Sequence, residues 1–168
     1  RTPFTIFTPS FETFCDLARQ VNVVPVHREH LADMETPVSA LSRFAGDENV
    51  FLLESVEGGE RWGRYSFIGV HPYAVFSVEG GVAMLQTPDG EETFRDEKHG
   101  LLALRDILDQ YQPVVLPGLP RFFGGAVGYI GYEAVTEFET LPPPKCHLEG
   151  PTTCLMLTDD LAIFDNVR

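Results

Sequence analysis

The sequence predicts an α+β domain: antiparallel strands in sandwich-like layers, packed by two or three helices. Two observations carry that prediction. First, two pairs of apolar, strand-like runs flank glycine turns at Gly58-Gly59 and Gly80-Gly81, which supply the positive φ of a tight antiparallel connection. Second, Leu101, Leu104, Ile107, Leu108 and Tyr111 recur at steps of three and four, the signature of a helix with one apolar face able to lie across a sheet. With 168 residues, 43% of them hydrophobic and 13 of them Phe, the chain suits one domain with a real core.

In chain order, Ser10 can cap a helix over residues 11–20, whose Phe11, Phe14, Leu17, Ala18 and Val21 should pack one face inward. Cys15 is then structural. Val23 to Val26 read as a short strand with Pro25 at its edge. His27 and His30 follow at a spacing of three, but no third ligand accompanies them, so they read as surface histidines. Thr36-Pro37 starts a second helix, because the threonine hydroxyl accepts a free backbone N–H and proline at the first position loses no hydrogen bond. Leu41, Phe44 and Ala45 form its buried side, and Gly46 is placed to close it in a left-handed conformation.

Phe51-Leu52-Leu53 and Tyr65 to Ile68 form the first hairpin. Residues 73–78 and 82–87 form a second antiparallel pair, and Pro88-Asp89-Gly90 marks the next turn. The amphipathic helix spans about 100–112, where Pro113 stops it. The segment from Arg121 to Tyr132 carries four glycines among aromatics, but it lacks the spacing and the βαβ context of a nucleotide loop. It reads instead as a strand whose missing side chains let another backbone or a ligand approach, with Tyr129 and Tyr132 able to point polar tips into a site. Pro142-Pro143-Pro144 is extended. Strands over about 153–158 and 161–165 end the chain in strand-like sequence, which, with Arg1 in place of a start methionine, suggests a segment of a longer protein.

Charge excludes whole classes of partner. Twelve basic against 25 acidic residues give a net charge of −13, which repels nucleic acid and anionic membrane. No apolar run approaches the roughly 20 residues of a membrane span, and no charged-then-apolar leader opens the chain. Cys15, Cys146 and Cys154 are odd in number and not at ligand spacing, which fits reduced thiols in a cytoplasm.

The chemistry-bearing residues gather in the stretch 51–69. The hairpin brings Glu54, Ser55, Arg64 and Tyr65 together at its strand ends, a carboxylate, a hydroxyl, a guanidinium and a phenol. Such a set could hold a zwitterion, Glu54 facing an ammonium while Arg64 and Ser55 face a carboxylate. The plainer reading is a hairpin with a charged, solvated rim. No nucleophile with a paired base, metal cluster or phosphate loop emerges anywhere.

Leu52-Leu53-Glu54-Ser55 followed by Gly63-Arg64-Tyr65-Ser66-Phe67-Ile68-Gly69 resembles the N-terminal region of component I of anthranilate synthase, a chorismate-utilising enzyme of tryptophan synthesis. Asp33-Met34-Glu35-Thr36-Pro37-Val38-Ser39-Ala40 upstream and Phe123-Gly124-Gly125-Ala126-Val127-Gly128-Tyr129-Ile130-Gly131-Tyr132-Glu133 downstream match the same family in the same order. The resemblance implies that residues 1–168 are the N-terminal, regulatory domain of a two-domain chain. The acid-base and Mg2+-binding residues would lie in an absent C-terminal chorismate-binding domain, so this region alone is expected to be inactive. It further implies that L-tryptophan binds as feedback inhibitor between the two domains. By position, Ser55 and Tyr65-Ser66-Phe67 match the family's tryptophan-contacting stretches, and Glu54 and Arg64 join them on charge. A glutamine amidotransferase subunit, component II, would supply ammonia. The nearest competitor is component I of aminodeoxychorismate synthase; a stand-alone amino-acid-binding module is the reading from another class, which a stop codon after Arg168 would favour.

Overall fold

The structure, a computed structural model, describes residues 6–54, 63–94, 100–142 and 149–167. It contains two antiparallel sheets and a few helices, as the α+β reading expects. Strands β1 (Phe51–Leu53) and β2 (Tyr65–Gly69) form the first hairpin, with Phe51 opposite Gly69 and Leu53 opposite Phe67. The Gly58-Gly59 turn and Ser55 lie outside the described residues, as do Pro143, Pro144 and Cys146.

The larger sheet runs β5-β4-β3-β7-β6, where β3 is Ala74–Glu79, β4 Val82–Thr87, β5 Gly90–Phe94, β6 Gly125–Ile130 and β7 Thr153–Thr158. Gly80 and Gly81 sit at φ 58° and 79° in the β3–β4 turn, a conformation that glycine adopts without a Cβ penalty. Strand β5 was not foreseen, for a physical reason. It is an edge strand whose residues are exposed except for half-buried Phe94, so it shows no apolar alternation, and Glu91 and Glu92 guard it against further pairing.

Helices α1, α2 and α3 span Phe11–Leu17, Pro37–Leu41 and Gly100–Leu108. Alternate residues of β3, Ala74, Phe76 and Val78, point into a core completed by Ala83, Leu155, Leu157 and, from α3, Leu104 and Ile107. Helix α3 lies directly on the sheet, because a Cβ on Gly100 would press into the Val78 side chain at 2.6 Å. Its first turn is tied down by Glu137, whose Oε2 accepts the Leu101 N–H at 2.9 Å. It ends four residues sooner than expected. Asn22 then braces the following turn, donating to the Gln110 carbonyl and accepting from the Gln112 N–H, both at 2.6 Å.

Both expected helix caps form. Ser10 Oγ accepts the Thr13 N–H at 3.2 Å, and Thr36 and Ser39 cap each other reciprocally. Packing of the first helix differs from expectation. Phe14 and Leu17 are half-buried but Phe11 is 82% exposed, because among the described residues no surface covers the outer part of the stripe. The expected strand at 23–26 is reduced to isolated bridges, Thr8 with His27 and Val23 with Pro113. Gly46 does not take the left-handed conformation: α2 runs on into a 3-10 turn, Ser42–Phe44, and the positive φ falls on Asn49 at 59°. Leu41 and Phe44 are half-buried, whereas Ala45 is exposed.

Fully buried Thr153 leaves its Oγ1 without a partner among the described residues. Thr153→Val keeps the shape and removes that unmet hydroxyl, so it should raise the unfolding free energy by about 1 kcal/mol. Stronger hydrogen-exchange protection of the β7 amides would register it.

Candidate functional site

The last strand, β8 (Leu161–Asp165), pairs with β2 on the side away from β1, so β2 is the centre of a three-stranded sheet β1-β2-β8. Its residues alternate faces. Ser66 and Ile68 are 3% and 1% exposed, whereas Tyr65 and Phe67 are half-buried on the opposite face. Four of the six predicted residues, Arg64 to Phe67, therefore sit together at one end of β2, with two of them facing outward and one inward. Glu54 is exposed just past the end of β1, and Ser55 lies outside the described residues.

The outward face carries an aromatic row. The Arg64 guanidinium carbon stands 4.9 Å from the centre of the Tyr65 ring. The Tyr65 and Phe67 rings are 6.1 Å apart, and Phe67 meets Phe122 edge-on at 5.3 Å. Such a row offers half-exposed aromatic faces and edges to a flat apolar group. Nothing local in the sequence ties Phe122 to a strand so far back in the chain.

Arg64 is committed elsewhere than expected. Its Nε and Nη2 donate to Asp165 Oδ1 and Oδ2 at 2.9 and 2.7 Å, a bidentate pair. The hydrogen bond to Asp165 raises the guanidinium above its ordinary value, so Arg64 is a permanent cation. The charge expected to meet a ligand's carboxylate thus already holds a carboxylate of this chain. Ser66 Oγ, on the buried face, accepts from Asn166 Nδ2 at 3.3 Å.

The glycine-rich segment keeps its backbone reading. In β6, Gly128 lies opposite Leu155, and a Cβ there would overlap the Cys154 carbonyl oxygen. Tyr129 donates its hydroxyl to the Pro151 carbonyl at 3.0 Å, while Tyr132 is 84% exposed. His27 is half-buried rather than on the surface, with a buried Nδ1 that has no partner among the described residues. No group of three or more His, Cys, Asp or Glu that could hold a metal ion occurs among those residues. No helix among them is long and apolar enough to cross a membrane.

No family model matches the chain. Its similarity to individual proteins is extensive. Over 164 residues, 97% of the chain, it is 37% identical to anthranilate synthase component 1 of Acetivibrio thermocellus, of which that stretch makes up 33%. The same enzyme component is 41% identical over 162 residues in Pseudomonas aeruginosa and 40% identical over 168 residues in Synechocystis, 32% of each relative being covered. The chain thus spans about a third of the length of the curated relatives it matches, consistent with an N-terminal region.

Proposed function

We propose that this chain is the N-terminal, regulatory domain of an anthranilate synthase component 1. The full protein would be a cytoplasmic lyase that converts chorismate and ammonia to anthranilate and pyruvate. The observation that carries the reading is identity of 36–41% with several such components along nearly the whole chain. Acid-base chemistry and Mg2+ ligation fall to a C-terminal domain, and this region alone is inactive. A component 1 implies a component II, here a glutamine amidotransferase that delivers ammonia.

Within that reading, residues 1–168 hold part of the feedback site for L-tryptophan. The half-exposed Tyr65 and Phe67 offer aromatic surface to an indole. Glu54 and Ser55, the two residues that follow β1 in the chain, supply a carboxylate for the ligand's ammonium and a hydroxyl for its carboxylate. Arg64 and Ser66 serve through the partners they hold in the chain, Asp165 and Asn166. Inhibition is a population shift: tryptophan binds one interdomain arrangement more tightly, and a preference of ~100-fold corresponds to ~2.7 kcal/mol.

Ser55→Ala in the full-length protein removes one hydrogen bond to the ligand. The tryptophan inhibition constant should rise about tenfold, the equivalent of ~1.4 kcal/mol. Inhibition curves, each normalised to the variant's own uninhibited rate, measure it. An unchanged constant would remove Ser55 from the site.

A further inference from the structure

The end of β2 is held from a part of the chain that no motif of the hairpin includes. Asp165 lies opposite Tyr65 in the β2–β8 register and grips Arg64 with both carboxylate oxygens. The Arg64 and Asp165 side chains are only 34% and 24% exposed, so the pair is partly shielded from water. The ladder then continues one step past the strand, because the Asn166 N–H donates to the Arg64 carbonyl at 2.8 Å. The Asn166 side chain donates to both the Gly63 carbonyl and Ser66 Oγ at 3.3 Å. Asp165 Oδ1 also accepts the Val167 N–H at 3.2 Å, a further hold on the same carboxylate. Asp165 of β8 and Asn166 just past it thereby bond the Gly63 and Arg64 carbonyls and the Arg64 and Ser66 side chains.

We propose that Asp165 and Asn166 form a clasp that positions the tryptophan site and sets how tightly the inhibitor is held, without touching it. The proposal rests on the feedback reading above and adds to it two positioning residues a hundred positions downstream of the motif. Arg64 stacks on Tyr65 while both of its forks engage Asp165, so the carboxylate fixes where the guanidinium lies and, through it, the Tyr65 ring at the head of the aromatic row. Holding the Gly63 and Arg64 carbonyls fixes the backbone that leads into β2 at Tyr65. A loosened clasp lets these groups sample other geometries, and the ligand must then order them on binding.

The test is a double-mutant cycle on the full-length protein, read as the tryptophan inhibition constant normalised to each variant's uninhibited rate. Asp165→Asn and Arg64→Gln should each raise the constant about tenfold, and the double variant no more than either alone, because each change breaks the same pair. Asn166→Ala, which removes only the side-chain bonds, should raise it about threefold, and it carries the test if Asp165→Asn fails to fold. A constant within twofold of the parent for both Asp165→Asn and Asn166→Ala would overturn the clasp. Arg64→Gln and Asp165→Asn effects that multiply would overturn it as well, since Arg64 would then touch the ligand on its own account. A parent protein that tryptophan does not inhibit would defeat the feedback reading itself, and the clasp with it.

Discussion

Phe76→Ala should lower the free energy of opening the larger sheet by about 3–5 kcal/mol, the usual cost of truncating a buried phenylalanine. Phe76 is 0% exposed at the middle of β3, the central strand, and the core gathers around it: Ala74 and Val78 on the same face, Leu155 and Leu157 of β7, and Leu104 and Ile107 of α3. Alanine would leave a cavity that this packing can only partly fill. Native-state hydrogen exchange of the β3 and β7 amides measures the local opening energy in the full-length protein, where a single global transition is not assured. Protection unchanged within 1 kcal/mol, read at about the precision of the method, would place the core elsewhere.

Gly128→Val should cost at least about 3 kcal/mol, because the added Cβ has nowhere to go. It would overlap the Cys154 carbonyl oxygen and approach the Leu155 Cα at 2.9 Å, and both atoms are backbone of the paired strand. The expected result is loss of β6 from the sheet: amides of Gly125–Ile130 lose exchange protection while those of β3 and β4 keep theirs. Gly46→Ala is the matching control. A Cβ there meets nothing within 4 Å and the residue is outside the left-handed region, so its effect should stay within about 0.5 kcal/mol.

Local chemistry made much of this fold legible. Gly80-Gly81 between two apolar runs could hardly be anything but a hairpin, and the three- and four-residue steps from Leu101 to Leu108 marked the face that α3 buries. The caps of Ser10 and Thr36 rest on contacts three residues apart, which a sequence displays directly. Contacts across long separations were not displayed. Nothing beside Asp165 announces that it will grip Arg64, and nothing beside Phe122 that it will meet Phe67 edge-on. The site divides the same way. Tyr65-Ser66-Phe67 stood out as a motif, but the strand's alternation turns Ser66 inward, and the charge of Arg64 is answered within the chain. Strand β5 escaped because an exposed edge needs no apolar pattern, and Gly46 misled because the helix ran on into a 3-10 turn before reversing at Asn49.

The tryptophan-sensing role proposed for this chain is tested with the full-length gene product, incubated with chorismate, ammonia and Mg2+, with and without L-tryptophan, its product followed by fluorescence and identified by chromatography. Anthranilate, formed at a rate that tryptophan suppresses, is the expected result. Aminodeoxychorismate as product, or no turnover of chorismate at all, would overturn the proposal.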